Sequence, residues 1–497
     1  MLEEEEEEGA EVDGSVAAED VVMQDTVADQ EQDTDGTSEP SEVTSYETAM
    51  SSAHSYLHLE EQRHDDLKDA VFSSRQLKTG QYVLLPVLAL RDVVLFPGDQ
   101  MPFTSSTTIE HKVMKEILGW EEKETLRPRR IIDLLHHRDL LPRGTHVVRH
   151  VSHCFGLLCH QSQNPVGTLA NVYSSGLAQS STQNVGDGED DNVNTDDNSA
   201  GAQQVNVIVR ASHLLFRLVL ALHIGGRFIF ACVQILPNHP YVQRPLQTKN
   251  VTRLPEFAWK MFDSKVKLKK IYSLLKKKGM EEIYHSMIRR KGEEDDEGVG
   301  GNSSIERNKD GPVLNMSVEN AVWWLSSNLP LPTKDKIDLL TSPSCFRRLG
   351  IIEKFLFNLQ IDRLVCLNCQ SLTSYLTNVS SIFSMSEEGV CAAYVNPGGY
   401  VHQILTVKFL NEEEIAVDLG EPGHPDSSTS AAGKRCIVAY HGEPTTKDSW
   451  FPGFAWTILS CNICFNHLGW KFEATSPNLH PQKFWGLRRE GVSIKRG

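Results

Sequence analysis

The sequence predicts an α+β protein of several domains: a disordered acidic N-terminus, a β-rich domain, a central helical segment and a C-terminal β domain stapled by zinc. Three observations carry this expectation. The 497 residues suffice for two or three hydrophobic cores. Acidic charge is segregated: residues 1–50 hold 18 Asp/Glu and no Lys or Arg, leaving 48 acidic against 49 basic residues elsewhere, so the net −17 belongs to a tail. Two Cys-x-x-Cys pairs, Cys366/Cys369 and Cys461/Cys464, stand about ninety residues apart around β-rich sequence.

The first 80 residues read as a tail and linker. With almost no aromatic side chains and strong like charge, residues 1–50 cannot bury enough apolar surface to offset the entropy of ordering. The opening "MLEEEEEE" puts acid where an export signal needs a basic region followed by an apolar run. The most apolar stretch, 213–226, is too short to span a bilayer and is interrupted by Arg217, so no membrane partner is expected. A reducing compartment follows, in which paired Cys-x-x-Cys motifs point to metal rather than disulfides.

Residues 81–237 form the predicted β-rich domain. "QYVLLPVLALRDVVLFPGDQMPF" is two apolar runs ended by the turn dipeptide Pro97-Gly98. Ile109, Val113 and Ile117 recur at helical spacing, predicting a helix over 107–120. Further strands flank a polar, acidic segment, 174–204, read as a disordered insertion. In "HCFGLLCH" (153–160), His153/Cys159 and Cys154/His160 point to opposite faces of a strand, so the cysteines there are expected to pack rather than to ligate.

The segment 238–360 reads as helical, with a linker at 291–312. Val266, Ile271, Leu274 and Leu275 mark an apolar face, and the lysines around it read as a solvated face rather than a nucleic-acid surface. Trp323 and Trp324 fall in a second helical set, where Cys345 is expected to be a small core residue.

In 361–488, two residues between cysteines let both sulfurs reach one ion from a tight turn. Cys366, Cys369, Cys461 and Cys464 then make a closed tetrahedral site for one structural Zn2+, with no position left for a catalytic water. Trp450, Trp456 and Trp470 bracket the second pair, with Phe472 close behind. Such aromatic density fits either a metal-stapled core or a preformed apolar pocket.

Two resemblances bear on the choice. The opening "LPVLALRDVVLFPGDQMPF" resembles the Lon N-terminal domain, yet no G-x-x-x-x-G-K-[ST] loop follows; Gly433-Lys434 continues into Arg435. "AAYVNPGGYVHQILTV", the tryptophan stretch and "PQKFWGL" resemble the thalidomide-binding (CULT) domain of the cereblon family, over 361–488. That resemblance implies a non-catalytic substrate receptor in the cytoplasm and nucleus. Its partners would be the damage-specific DNA-binding adaptor protein and a cullin-4 RING ubiquitin ligase, with docking through the central helices. It also implies a β-tent whose tryptophan cage takes cyclic imides or surface-loop degrons, targeting proteins for ubiquitination and degradation. By matching motifs, Trp450, Trp456 and Trp470 would be the walls, Phe472 the floor, and Asn396 and Asp448 the flanking positions. The sequence departs from the family where Asp448 and Gly398 replace histidines and where 411–435 inserts an acidic loop.

Two other functions fit parts of the pattern. A methyl-lysine reader would use the same aromatic cage, with Asp448 as counter-charge. A methionine sulfoxide reductase of the B type would need a nucleophilic cysteine after the second pair. None follows Cys464, leaving Cys391 or Cys436.

Overall fold

The computed structural model describes residues 54–57, 59, 77–121, 131, 133–135, 141, 145–149, 153–159, 165–177, 204–236, 260, 262–289, 316–359, 363–369, 375–412, 414–418 and 432–494. The acidic tail, most of the 174–204 insertion and the 291–312 linker lie outside them.

The first sheet is built from β1 (Tyr82–Leu90), β2 (Gln100–Thr104), β3 (Val147–Arg149), β4 (Cys154–Cys159), β5 (Val166–Leu177), β6 (Val205–Gly225) and β7 (Phe228–Ile235). Its order is β2-β6-β5-β4-β1-β3, and β7 pairs with both β1 and β6, so five of the strands close into a ring with few free edges. The apolar run of β1 is buried along nearly its whole length, because the ring interior takes one face and a covering layer the other. Cys154 and Cys159 do pack to opposite sides, into different clusters. The helix α1 (Thr108–Leu118) starts where Thr107 caps the Glu110 N–H and stops at Gly119, in the left-handed region. Its buried face runs through Val113, Met114 and Ile117; Ile109, expected on that face, is 41% exposed at its margin.

Helices α2 (Ser264–Lys277), α3 (Glu281–Arg289), α4 (Val318–Asn328), α5 (Thr333–Thr341) and α6 (Cys345–Phe357) follow. The face α2 buries is Leu268, Ile271 and Leu275, while Val266 is exposed. Position 268 continues the i, i+3, i+7 stripe, and 266 lies about 200° around the helix from it. These helices share one core with both neighbouring parts of the chain, which includes Phe96 on one side and Leu405 and Leu487 on the other. Trp323 anchors that junction, stacked on Phe96 at 5.9 Å and carrying the Arg348 guanidinium 4.0 Å over its ring. Cys345 is buried, as a small core residue should be.

The C-terminal part holds β8 (Arg363–Cys366), β9 (Thr377–Asn378), β10 (Cys391–Val395), β11 (Val401–Val407), β12 (Glu414–Asp418), β13 (Ala432–Cys436), β14 (Val438–Thr445), β15 (Phe454–Cys461), β16 (His467–Ala474), β17 (Lys483–Arg488) and β18 (Val492–Ile494). Six strands make an antiparallel sheet in the order β10-β11-β17-β16-β15-β14, beside a small sheet β18-β8-β9. The chain end returns to clamp β8, with Val492 opposite Cys366. The expected 411–435 loop is in part a ribbon, because β12 and β13 pair with each other.

Candidate functional site: a thiolate quartet beside an aromatic corner

Cys366 ends β8 and Cys461 ends β15, and each strand turns sharply just beyond. On the second turn, the Phe465 N–H donates to the Cys461 carbonyl (2.8 Å) and Phe465 takes a φ of 59°. On the first, the Leu367 N–H donates to Gly491 (3.0 Å), so the returning chain end fixes the cysteine loop. All four Sγ atoms lie within 4.8 Å of one another, with Cys366–Cys464 at 3.6 Å and Cys369–Cys461 at 3.8 Å. A tetrahedron with Zn–S bonds of about 2.3 Å has edges of roughly 3.8 Å. A disulfide would need about 2.05 Å. The quartet is therefore spaced for one tetrahedral ion. A hydrogen bond from Cys461 pulls the Cys366 thiol down to about 4 despite its burial, helped by the N–H groups of Cys369 and Asn368. The same bond, with burial, pushes the Cys461 thiol upward. Thiolates are the form a metal needs.

The aromatic residues lie on the same strands. Trp456 on β15 stands opposite Phe472 on β16, and Ile458 stands opposite Trp470, so these four share a face. Trp450 arrives from the preceding loop, where Pro452-Gly453 forms a turn closed by the Phe454 N–H on Phe451 (3.1 Å), with Gly453 at φ 83°. The rings of Trp450 and Trp470 meet at 4.6 Å and 72°, forming a corner. Trp450 is held by its Nε1–H, which donates to the Val395 carbonyl (3.0 Å), and by stacking on Tyr394 at 5.2 Å. Phe472 stacks on Phe484 at 4.9 Å and is fully buried beneath. Trp456 alone is half-buried, tied by its Nε1–H to the Lys447 carbonyl (2.8 Å). Gly486 makes this packing possible, since a Cβ there would come within 2.8 Å of Ile404 and 3.1 Å of the Phe472 ring.

The flanking positions differ in kind. Asn396 closes its own loop, its Oδ1 accepting from the Tyr400 N–H (2.8 Å) and its N–H donating to the Tyr400 carbonyl (3.0 Å). Asp448 is exposed, with a φ of 55°, one residue after the carbonyl that holds Trp456. Sequence reasoning passed over Tyr394, His402 and His467. Tyr394 and His402 are direct cross-strand partners, and His402 and His467 lie 5.3 and 4.6 Å from the Trp470 ring. The signal for Tyr394 and His402 is the alternation along "AAYVNPGGYVHQ", which needs the β10–β11 register before it says which ring they meet, and His467, at the start of β16, needs the β15–β16 pairing. Burial, and then the nearby Arg488, pull the His467 imidazolium down to about 4, so its ring is neutral at pH 7. Cys391 is buried with its thiol pushed upward by burial, and the side chain of Cys436 lies outside the described residues.

The N-terminal ring of strands reaches this site through Arg227. Its guanidinium pairs with Glu110 (2.8 Å), donates to the Thr104 carbonyl (2.9 Å), and also donates to the Gly399 carbonyl in the Asn396 loop. Burial alone would raise the Glu110 carboxyl. Hydrogen bonds from Arg227 and from the Ser106 N–H overcome that and hold it down to about 2.

No family model matches the sequence. Among curated proteins it is similar to protein cereblon of Gallus gallus, 40% identical over 164 residues, which is 33% of this chain and 30% of that protein. Protein cereblon of Xenopus tropicalis is 37% identical over 168 residues, 33% of this chain and 30% of the relative. Protein cereblon of Danio rerio is 28% identical over 256 residues, 51% of this chain and 46% of the relative. The chain spans less than half the length of each of these relatives in the match.

Proposed function

We propose that this chain is a cereblon-type substrate receptor: a non-catalytic subunit that brings proteins to a cullin-4 RING ubiquitin ligase. The observation that carries the reading is the corner between Trp450, on the loop before β15, and Trp470 on β16, floored by Phe472 and faced by the half-buried Trp456, on a hairpin whose turn carries two cysteines of the thiolate quartet. The quartet would hold one structural Zn2+, which is redox-inert and leaves no open coordination position when four thiolates bind it. Two indoles meeting at a steep angle desolvate a small planar ring on two sides, and loop backbone groups can pair the polar edge of a cyclic imide. A buried thiol raised by its surroundings is a poor nucleophile, so Cys391 does not support the reductase alternative.

The helices 238–360 would carry the adaptor surface. Because α2 and α3 bury Leu268, Ile271, Leu275 and Ile283 in the shared core, deleting them would unfold more than a surface. The test is charge reversal at exposed positions, Lys269→Glu with Lys276→Glu. Co-purification of the damage-specific DNA-binding adaptor and cullin 4 from cell lysate is expected with wild type and reduced by the reversal. Glutarimide titration by tryptophan quenching tests the cage. Tighter binding of trimethyl-lysine peptide than of neutral glutarimide would favour the methyl-lysine reading and refute this one.

A further inference from the structure

A cavity of about 360 Å3 opens where the loop after β1, the helices and the C-terminal strands meet; Asp92, Thr333, Lys336, Gln403, Arg489 and Glu490 supply its polar lining. It is separate from the aromatic corner: His402 faces Trp470, whereas its neighbour Gln403 lines the cavity, and successive residues of β11 point to opposite faces.

Two buried cations line it without a carboxylate partner. Lys336 is 1% exposed and donates to a neutral acceptor, Gln403 Oε1, at 3.0 Å. The Gln403 amide is itself oriented by donating to the Val94 carbonyl (3.1 Å). Arg489 is 7% exposed; it donates to the carbonyls of Val492 (3.2 Å) and Leu331, and its Nε–H finds no partner. Among the described residues neither cation lies within ion-pair distance of an acid. Buried charges are ordinarily paired, because desolvation is costly. Burial pulls the Lys336 ammonium below its ordinary range, against smaller upward pulls from Asp99 and Glu490, neither of which reaches ion-pair distance.

The third element is the start of α5. Its N-cap is Pro332, which makes no side-chain hydrogen bond, and Pro332 and Thr333 line the cavity. Uncapped first-turn amides and the positive end of a helix favour an anion, beside the Asp335 that the first turn already carries. Glu490 is already engaged through Oε1 with Arg488 (2.7 Å) and His402 (3.4 Å), although its Oε2 is buried without a hydrogen bond. The lining sets Lys336 and Arg489 against Asp92 and Glu490, and Arg488, outside the lining, already takes up the Glu490 charge at 2.7 Å. Leu331, Phe355 and Ile494 give the same cavity an apolar wall.

We propose that this cavity binds a small monocarboxylate with an apolar body, its head on Lys336 Nζ, Arg489 Nε and the first-turn amides of α5, its body against Leu331, Phe355 and Ile494. The test is calorimetry on the full, metal-loaded chain with three probes: 4-phenylbutanoate, 4-phenylbutanol of the same shape without charge, and inorganic phosphate. The expected result is saturable one-to-one binding of the carboxylate, at least tenfold tighter than the alcohol. Lys336→Met should weaken it at least tenfold. Should that variant not fold, Ser493→Trp, which narrows the cavity from β18 and keeps both cations, must abolish binding. Trp456→Ala must leave it unchanged, so failure of the aromatic-cage reading is distinguishable from failure here. No saturation at millimolar probe, equal binding of the alcohol, phosphate binding as tightly (an adventitious ion only), or wild-type affinity in the cavity variants would each overturn the proposal.

Discussion

Replacing Arg227 by Met should destabilise the protein most at neutral pH and least in acid, the reverse of the wild-type dependence. Glu110 is fully buried, and its carboxyl is held at about 2 against an ordinary 4.5. At 1.36 kcal/mol per pH unit, that gap corresponds to roughly 3 kcal/mol of preference for the ionised form in the folded state. The folded value is the lower one, so this contribution is full above pH 4.5 and lost as pH falls towards 2. Without the Arg227 guanidinium, burial pushes the carboxyl back up, against the N–H groups of Ser106 and of position 227, which still donate to it. The variant then carries an unpaired buried charge at pH 7, costing about 3–5 kcal/mol. That penalty shrinks as acid supplies the missing proton.

The assay is urea denaturation of wild type, Arg227→Met, Glu110→Gln and the double variant at pH 7 and pH 5, read by tryptophan fluorescence. Glu110→Gln should cost less than Arg227→Met, because the Arg227 side chain is 23% exposed and water can solvate it. The double variant should recover part of the loss, since no buried charge remains. An Arg227→Met penalty below 1 kcal/mol at pH 7, or one that does not shrink at pH 5, would refute the reasoning.

Cys461→Ser should abolish stoichiometric zinc, measured by elemental analysis, and unfold the C-terminal sheets, since zinc-finger peptides gain roughly 10–16 kcal/mol from such a site; full zinc in that variant would remove the quartet from consideration. Trp456→Ala should weaken glutarimide binding about tenfold while zinc content and near-UV circular dichroism are kept, because the half-buried wall is the one that can be removed without opening the core. Trp323→Ala should cost about 3–5 kcal/mol in denaturation, as a buried indole lying between Phe96 and Arg348 leaves a cavity at the junction. Cys391→Ser should change nothing in a methionine sulfoxide peptide assay, with both proteins at background.

What the sequence disclosed about the site was local. The two Cys-x-x-Cys pairs and the tryptophan spacing need only a few neighbouring residues to be read, and the structure brings both sets together. The Pro452-Gly453 turn was legible for the same reason. What escaped depends on register or on distant partners. Tyr394 and His402 acquire meaning only as cross-strand neighbours, and β18 matters because it closes on β8. Glu110 and Arg227 are 117 positions apart, so nothing in either local pattern announces the pair. The buried face of α2 was misplaced by one residue type, Val266 for Leu268, because periodicity alone does not say which stripe meets the core.

The position of the quartet relative to the aromatic corner decides what a metal there can do. On β15, Trp456 and Cys461 are five residues apart; Cys464 stands in the turn that follows, six residues before Trp470 on β16. Between them the ladder slips at Leu459/Ser460, and a register slip of one residue would turn Trp470 and Phe472 to the opposite face. A metal in the quartet would pin the β15 end and the turn into β16 on the far side of that irregularity, leaving the ladder that carries the rings one register. Phe472 is locked independently by Phe484 and Phe451, and Trp450 by Val395 and Tyr394. A ligand entering at Trp456 would therefore meet walls already ordered, and the entropy of ordering them would have been met at folding. Metal loss should accordingly abolish ligand binding through disorder of the rings, before any ring is removed.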